Sequence, residues 1–426
     1  MTERDEAGRT SAGVTYTARA FKRGFGSGKQ PLQLQAAGDA STLAAFQDVL
    51  GDCRQRWRAL EGVGYARGWI SEAIAAPNGP LCRLQPFGFK GPIEAVLDEI
   101  STGLTDRGIV GVLRPARAKL HPVFKGGTNG YFSTLSAVVT LPVDLDRLYA
   151  DTDSYARPRY GWLVEAELTR HVLKTAIEWC LDGEGDTYLS GVIESTPVAA
   201  SAESVLGFLA DAPEQPERLS YMFGVKQASP HRMRYVGTDR YGLLTLQEVD
   251  LRADQRPALA DLVTITDALA PHGWTTSIRQ SATGLTGWEA QPAQQNHRSP
   301  IDAAGTDRWR VLHLLPDYVL DAYVHQVLTT NQLAKTILPP ERWTITPLGN
   351  DRHAVSAVDP EPWLNHSDLT QPISADNRPT GVNPATLEQA RLDFGGAIIN
   401  PATLALHPPP MPDQLYATYL NHQQHS

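Results

Sequence analysis

A mixed fold, α+β or α/β, with mixed sheets and packed amphipathic helices, follows from three observations on this sequence. Apolar residues recur at helical spacing in several stretches, while short β-rich runs bounded by Gly, Pro and Asn alternate with them. A chain of 426 residues is also long enough for two or three domains of roughly 150 residues each. The expected division is a polar and basic leader (1–30), an N-terminal α/β domain (31–150), a C-terminal α+β domain (159–364) and a Pro-rich tail (365–426) wrapping back on the body. The polar, turn-rich stretch 151–158 marks the boundary.

In chain order, residues 14–17 and 32–35 are expected to pair as strands around the glycine-rich stretch 23–29. That stretch fails as a phosphate loop, because Arg23 stands where the first Gly of the motif belongs and Gln30-Pro31 follows the Lys. Leu43, Phe46, Val49, Leu50, Trp57 and Leu60 predict a helix over 41–60 with Ser41 as its cap. Strand 81–84, a helix opened by Pro92, and the apolar strand 109–113 form a candidate β-α-β crossover. Residues 163–180 have helical spacing, with Glu167, His171, Lys174 and Glu178 on the polar face. Strands are expected at 187–193, 219–225, 231–236 and 243–249, a short helix near 203–209, a helix over 259–269 and a strand over 274–278.

The block 307–364 is the best punctuated part of the chain. Pro316 suits the first turn of a helix, and 316–337 then places Leu320, Tyr323, Val324, Val327 and Leu328 in one sector. Asp321, His325, Thr329 and Gln332 gather opposite, on what should be the solvent face. Residues 343–346 and 354–358 predict a β-hairpin closed by a loop of roughly four or five residues. In the tail, Asn383, Pro384 and Gly395-Gly396 punctuate one further helix.

Composition excludes some function classes. A net charge of −9, spread without long runs, disfavours nucleic acid as a partner. No stretch has the apolar length of a membrane span, so no membrane partner is expected. Three scattered cysteines, Cys53, Cys82 and Cys180, argue against a disulfide framework and for a reducing, cytoplasmic location. The 38 basic residues are mostly Arg, the bias of a GC-rich genome such as that of an actinobacterium or its phage.

Three clusters have residue types suited to chemistry. Asp359, Glu361, His366 and Asp368 fall close together and could hold a divalent metal, with His353 at the start of the preceding strand. Asp321 and His325, at i and i+4 on the expected helix, have the arrangement in which an Asp orients a general base; His353 is a further catalytic candidate. Arg114, Arg117, Lys119 and Lys125 form the densest positive loop and could bind a small anionic substrate. Each reads more simply as solvated surface, and the usual hydrolase, zinc-protease, Walker and dinucleotide motifs are missing. The sequence therefore favours a non-catalytic protein-binding or assembly protein of a bacterium or its phage, through a protein partner or self-association. The alternative is a metal-dependent or His–Asp acid–base enzyme acting on a small anionic substrate.

Overall fold

The computed structural model describes residues 9–11, 14–16, 32–57, 70, 73, 76, 79–84, 93–115, 131–150, 164–182, 189–193, 196–199, 221–226, 232–238, 243–250, 256–284, 292–293, 299–303, 308–364 and 382–410. It is an α+β chain whose sheets are almost wholly antiparallel. Contacts group it into two compact units, 1–119 with 195–208, and 120–194 with 209–426.

The first unit holds β1 (Arg9–Ser11), β2 (Val14–Tyr16), β3 (Leu32–Ala36), β4 (Leu81–Leu84), β5 (Gly111–Pro115) and β8 (Thr196–Ala199), with helices α1 (Ala40–Trp57) and α2 (Ile93–Thr105). Five strands run in the order β1-β2-β5-β3-β4. The expected pairing of β2 with β3 does not occur, because β5 lies between them, parallel to β2 and antiparallel to β3. The β4-α2-β5 segment does cross over, but it skips a position: β3 sits between its two strands. Leu34, Phe46, Leu50, Val96, Ile100 and Leu113 belong to one buried core against which Trp57 packs in part.

Asp39, not Ser41, caps α1. Its Oδ1 accepts from the amides of Ser41 at 3.0 Å and Thr42 at 3.1 Å. The Ser41 hydroxyl and these amides hold the Asp39 carboxyl at about 2, well below the usual range. Gly103 lets the two helices approach, since a Cβ there would stand 2.9 Å from Val49 Cγ1.

The second unit is built on one long ladder. Its strands are β6 (Tyr131–Thr140), β7 (Leu189–Ile193), β9 (Tyr221–Lys226), β10 (Arg232–Thr238), β11 (Leu243–Asp250), β12 (Thr275–Gly284), β13 (Pro292–Ala293), β14 (His325–Thr329), β15 (Trp343–Gly349) and β16 (Arg352–Ala357). They run β15-β16-β14-β12-β6-β11-β10-β9-β7, with β13 beside β12. The helices are α3 (Leu145–Ala150), α4 (Ala166–Leu181), α5 (Arg256–Leu269), α6 (Pro300–Ala303), α7 (Thr330–Leu333), α8 (Pro384–Phe394) and α9 (Pro401–Leu406). Helix α5 lies across β6, β11, β12 and β14. Arg234 of β10, buried on the same face, donates to the C-terminal carbonyls of α4, Trp179 at 2.7 Å and Asp182 at 2.9 Å, and pairs with Asp261 of α5 at 2.9 Å. A cation there complements the negative end of α4.

The expected helix over 316–337 is absent. A 3-10 turn, Arg308–Leu314, leads through Val319, bridged to Ile398, into strand β14, all five residues of which are buried. The strand is covered on both faces, so its continuous apolar run mimics a helix stripe; periodicity alone does not separate the two. The polar residues assigned to solvent are buried instead: Asp321 is 0 % exposed, His325 1 % and Gln332 0 %. Thr329 and Gln332 form a reciprocal capping box that opens α7, and Gln332 Nε2 donates to Leu315 O at 2.8 Å.

The hairpin β15–β16 forms, but Asn350 and Asp351 alone make its loop, both at positive φ (49° and 59°). This is a tight type I′ turn, not the longer loop expected. On the face opposite α5, Trp343 packs edge-on against Phe394 at 5.0 Å and against Trp363 at 5.9 Å. Helix α8 is capped by Asn383, with Pro384 in its first turn. Its end carries Phe394 and, beyond it, Ile399, both fully buried, and Ile399 N donates to Val319 O at 2.9 Å.

Candidate functional site

Three polar groupings lie around β14–β16, each produced by sheet register or by the return of the C-terminal segment. His325 is the centre of the first. The bonds Val358 N to Arg342 O and Ala357 N to Val324 O fix which residues of the ladder exchange hydrogen bonds. By alternation, His325 and Ser356, directly opposite one another, form a non-hydrogen-bonded pair, in which Cα atoms stand only about 4.5 Å apart and side chains meet. His325 Nδ1 lies 2.8 Å from Ser356 Oγ, and Nε2 lies 3.0 Å from Oδ1 of Asp267 on α5. A carboxylate only accepts, so Nε2 carries a proton; in the neutral imidazole Nδ1 then accepts from the Ser356 hydroxyl. The result is a Ser356–His325–Asp267 relay, with the ring buried, Ser356 half-buried and Asp267 at the margin of the helix–sheet packing.

The second grouping is Asp321, whose carboxylate takes a two-pronged bond from Arg391 of α8, Nε to Oδ1 at 2.9 Å and a terminal nitrogen to Oδ2 at 2.7 Å. It also accepts from Ala322 N at 2.9 Å. Asp321 and His325 thus have different partners, and the expected i, i+4 relation between them is replaced by the extended backbone that joins them.

The third is Asp393, also on α8. Arg342 Nε donates to Oδ2 at 2.8 Å, a terminal nitrogen of Arg342 to Oδ1 at 2.7 Å, and buried Trp343 Nε1 to Oδ2 at 2.8 Å. Burial alone would raise its pKa; the bonds from Arg342 and Trp343 outweigh it and hold the carboxyl below its ordinary value. A fourth tie lies at His313. Its Nε2 stands 2.9 Å from His407 O and its Nδ1 3.2 Å from Tyr149 Oη.

Of the expected metal cluster, His366 and Asp368 lie outside the described residues. Asp359 accepts from Glu361 N at 3.1 Å, a local turn bond, and Glu361 pairs with Arg256 at 3.5 Å. Among the described residues no group of three or more His, Cys, Asp or Glu is disposed to hold a metal. His353 Nε2 stands 3.0 Å from Thr330 Oγ1. Of the expected anion-binding residues, Arg114 lies on β5, with its backbone opposite Gln33; Arg117, Lys119 and Lys125 lie outside the described residues, as does the 23–29 stretch. Glu167 and His171 on α4 are exposed, Glu167 paired with Arg170. Ser356 and Asp267 were not singled out in the sequence. The only signal was positional, a Ser on the second hairpin strand, and it becomes legible once the register is known.

No protein-family model matches the chain, and no curated protein matches it. Among solved structures, a Pseudomonas aeruginosa T6SS protein is similar over 65% of this chain and 77% of its own, with a TM-score of 0.36 and 10% identity. No role or residue is carried over from it. Among the described residues no helix is long and apolar enough to cross a membrane.

Proposed function

We propose that this chain is a non-catalytic protein-binding or assembly protein of a bacterium or its phage, which engages another polypeptide through the β15–β16 hairpin and the C-terminal segment beside it. One observation carries the reading. Among the described residues of the second unit, the exposed large hydrophobic side chains are Ile337 before β15, Ile345 and Val358 in the hairpin and just past its end, and Leu392 and Leu406 in the C-terminal segment. A backbone bond from Ile337 N to Asp393 O brings Ile337 beside Leu392, and the Arg342–Asp393 ion pair ties the start of the hairpin to the same helix. Apolar side chains concentrated in one region mark interaction surfaces, whereas scattered ones do not. The acidic and imidazole groups nearby are engaged in ties that support this surface, which is a structural use for them. The three cysteines, buried and not joined in disulfides, suit a reducing cytoplasmic setting.

The test is charge insertion at exposed positions that leave the core untouched. Ile337→Glu with Leu392→Glu should abolish the complexes that the chain forms with itself or with partners in its own cells, with the melting temperature unchanged. Unaltered complexes would reject the reading.

The Ser356–His325–Asp267 relay favours a second reading, an acid–base enzyme in which His325 activates Ser356 and Asp267 fixes the imidazole tautomer. A fluorophosphonate probe should then label Ser356 in the wild type and not in His325→Asn. Absence of labelling would dismiss it.

A further inference from the structure

We propose that the outer edge of β15 accepts an extended segment of a different polypeptide by strand addition, and that Pro347 keeps a second copy of this chain from taking the same place. The inference rests on the protein-binding reading and names the chemistry of its contact.

The hydrogen-bond alternation already used for His325 also settles the free edge. Arg342 pairs with Val358 through a backbone bond, so Thr344 and Thr346 face β16 with their N–H and C=O groups. Trp343, Ile345 and Pro347 therefore turn theirs outward, at the end of the ladder, where among the described residues no strand pairs with them. Trp343 N–H is already given to Pro339 O at 2.9 Å, and Pro347 has no N–H. Over its exposed residues 344–347 the edge offers two acceptors, the carbonyls of Ile345 and Pro347, and a single donor, Ile345 N–H.

That inventory selects the occupant. Two copies of this edge bring one donor each, so in any register they share at most two hydrogen bonds. A strand from another chain supplies its own amides to both carbonyls and accepts from Ile345, three bonds in place of two. Edge strands are ordinarily guarded by charged side chains. Here Trp343–Gly349 carries none, and Thr344, Ile345, Thr346 and Pro347 are all exposed. The edge is thus protected against itself and open to a strand rich in donors. Such a partner would lay apolar side chains at alternate positions beside Ile345, which is exposed.

The experiment uses the full chain and a panel of synthetic peptides of about ten residues, the length of a long strand. They alternate Val and Thr, and each is made in an unmodified form and a form N-methylated on one edge. Amide exchange at Ile345 and peptide affinity are read together. An unmodified peptide should slow exchange of the Ile345 amide by at least about tenfold, the effect of one well-formed bond. N-methylation and Ile345→Pro should each weaken binding by at least about tenfold, since each removes donors from the ladder. Ile345→Pro leaves the bonds to β16 in place because that N–H faces outward; Ile345→Lys, an edge guard without backbone change, should weaken binding in the same direction. The proposal is overturned if no peptide slows the Ile345 amide, if N-methylated peptides bind equally well, if that amide is already protected in the chain alone, or if Ile345→Pro converts a dimer to a monomer. Loss of complexes on charging Ile337 and Leu392 with no peptide effect at Ile345 would leave the binding reading standing and remove strand addition alone.

Discussion

Removing Arg391 isolates the contact that docks α8 on the body. Asp321 is 0 % exposed and holds both oxygens toward the Arg391 guanidinium, whose side chain is 32% exposed. Breaking a buried pair by deleting one partner strands the other charge and costs about 3–5 kcal/mol; partial exposure of Arg391, and the Ala322 amide that remains on Asp321, place Arg391→Ala near about 3 kcal/mol. Lys at this position keeps the charge but loses the fork geometry, so Arg391→Lys should fall between wild type and Ala. Urea unfolding followed by tryptophan fluorescence, extrapolated linearly, gives the free energies. Asp321→Ala combined with Arg391→Ala should be less destabilised than the sum of the single changes by about 2 kcal/mol, since the contact is lost only once. A loss below about 1 kcal/mol for Arg391→Ala, or strict additivity, would refute the assignment of this pair as the tie between α8 and the 319–324 segment.

Three further outcomes follow from single sites. His313 is pushed below its ordinary value by burial, against the opposing effect of the His407 carbonyl. The unfolded chain therefore binds the proton more readily, and stability at this site is full above about 6.5 and falls as pH drops through the lowered folded value; a His313→Gln variant should lose that part of the pH dependence in thermal melts. Gly79 sits at φ 101°, and a Cβ there would stand 2.2 Å from Ala36 O, so Gly79→Ala should destabilise the first unit by at least about 1–3 kcal/mol; a melting temperature equal to wild type would contradict the geometry. Cys53 and Cys82 are buried, with thiols pushed up to about 12. They should resist a thiol reagent at neutral pH until the chain unfolds, and fast native labelling would count against the packing of the first core.

Local order in this chain is readable where local causes set it. Helices 40–57, 93–105, 166–181, 256–269 and 384–394 have apolar spacing or punctuation that a one-sided burial produces, and Asn383-Pro384 opens α8 through a cap that needs no distant partner. The 316–337 stretch misleads because β14 is buried on both faces, which removes the period-two alternation that marks a half-exposed strand. The polar residues there are buried for reasons that lie far along the chain: Asp321 with Arg391, His325 with Asp267, Gln332 on the carbonyls of the preceding turn. The same distance hides the candidate site. Ser356 meets His325 only through the register of β14 and β16, and Asp267 arrives from a helix that precedes both. The hairpin was legible in its strands but not in its turn, since Asn350-Asp351 takes two left-handed positions without a glycine between them.

Residues 382–399 are part of the core, through Phe394, Ile398 and Ile399, so truncation after Leu364 would remove packing along with any contact surface. The interaction claim is best tested on the intact chain. Native mass spectrometry of untagged protein, prepared without chelator and compared with Ile337→Glu/Leu392→Glu, reports bound metal, bound small molecules and associated polypeptides in one spectrum. The account predicts a chain free of stoichiometric metal or small molecule that carries another polypeptide, lost in the charged variant. A stoichiometric metal or small molecule retained in both proteins, with no associated polypeptide in either, would contradict it.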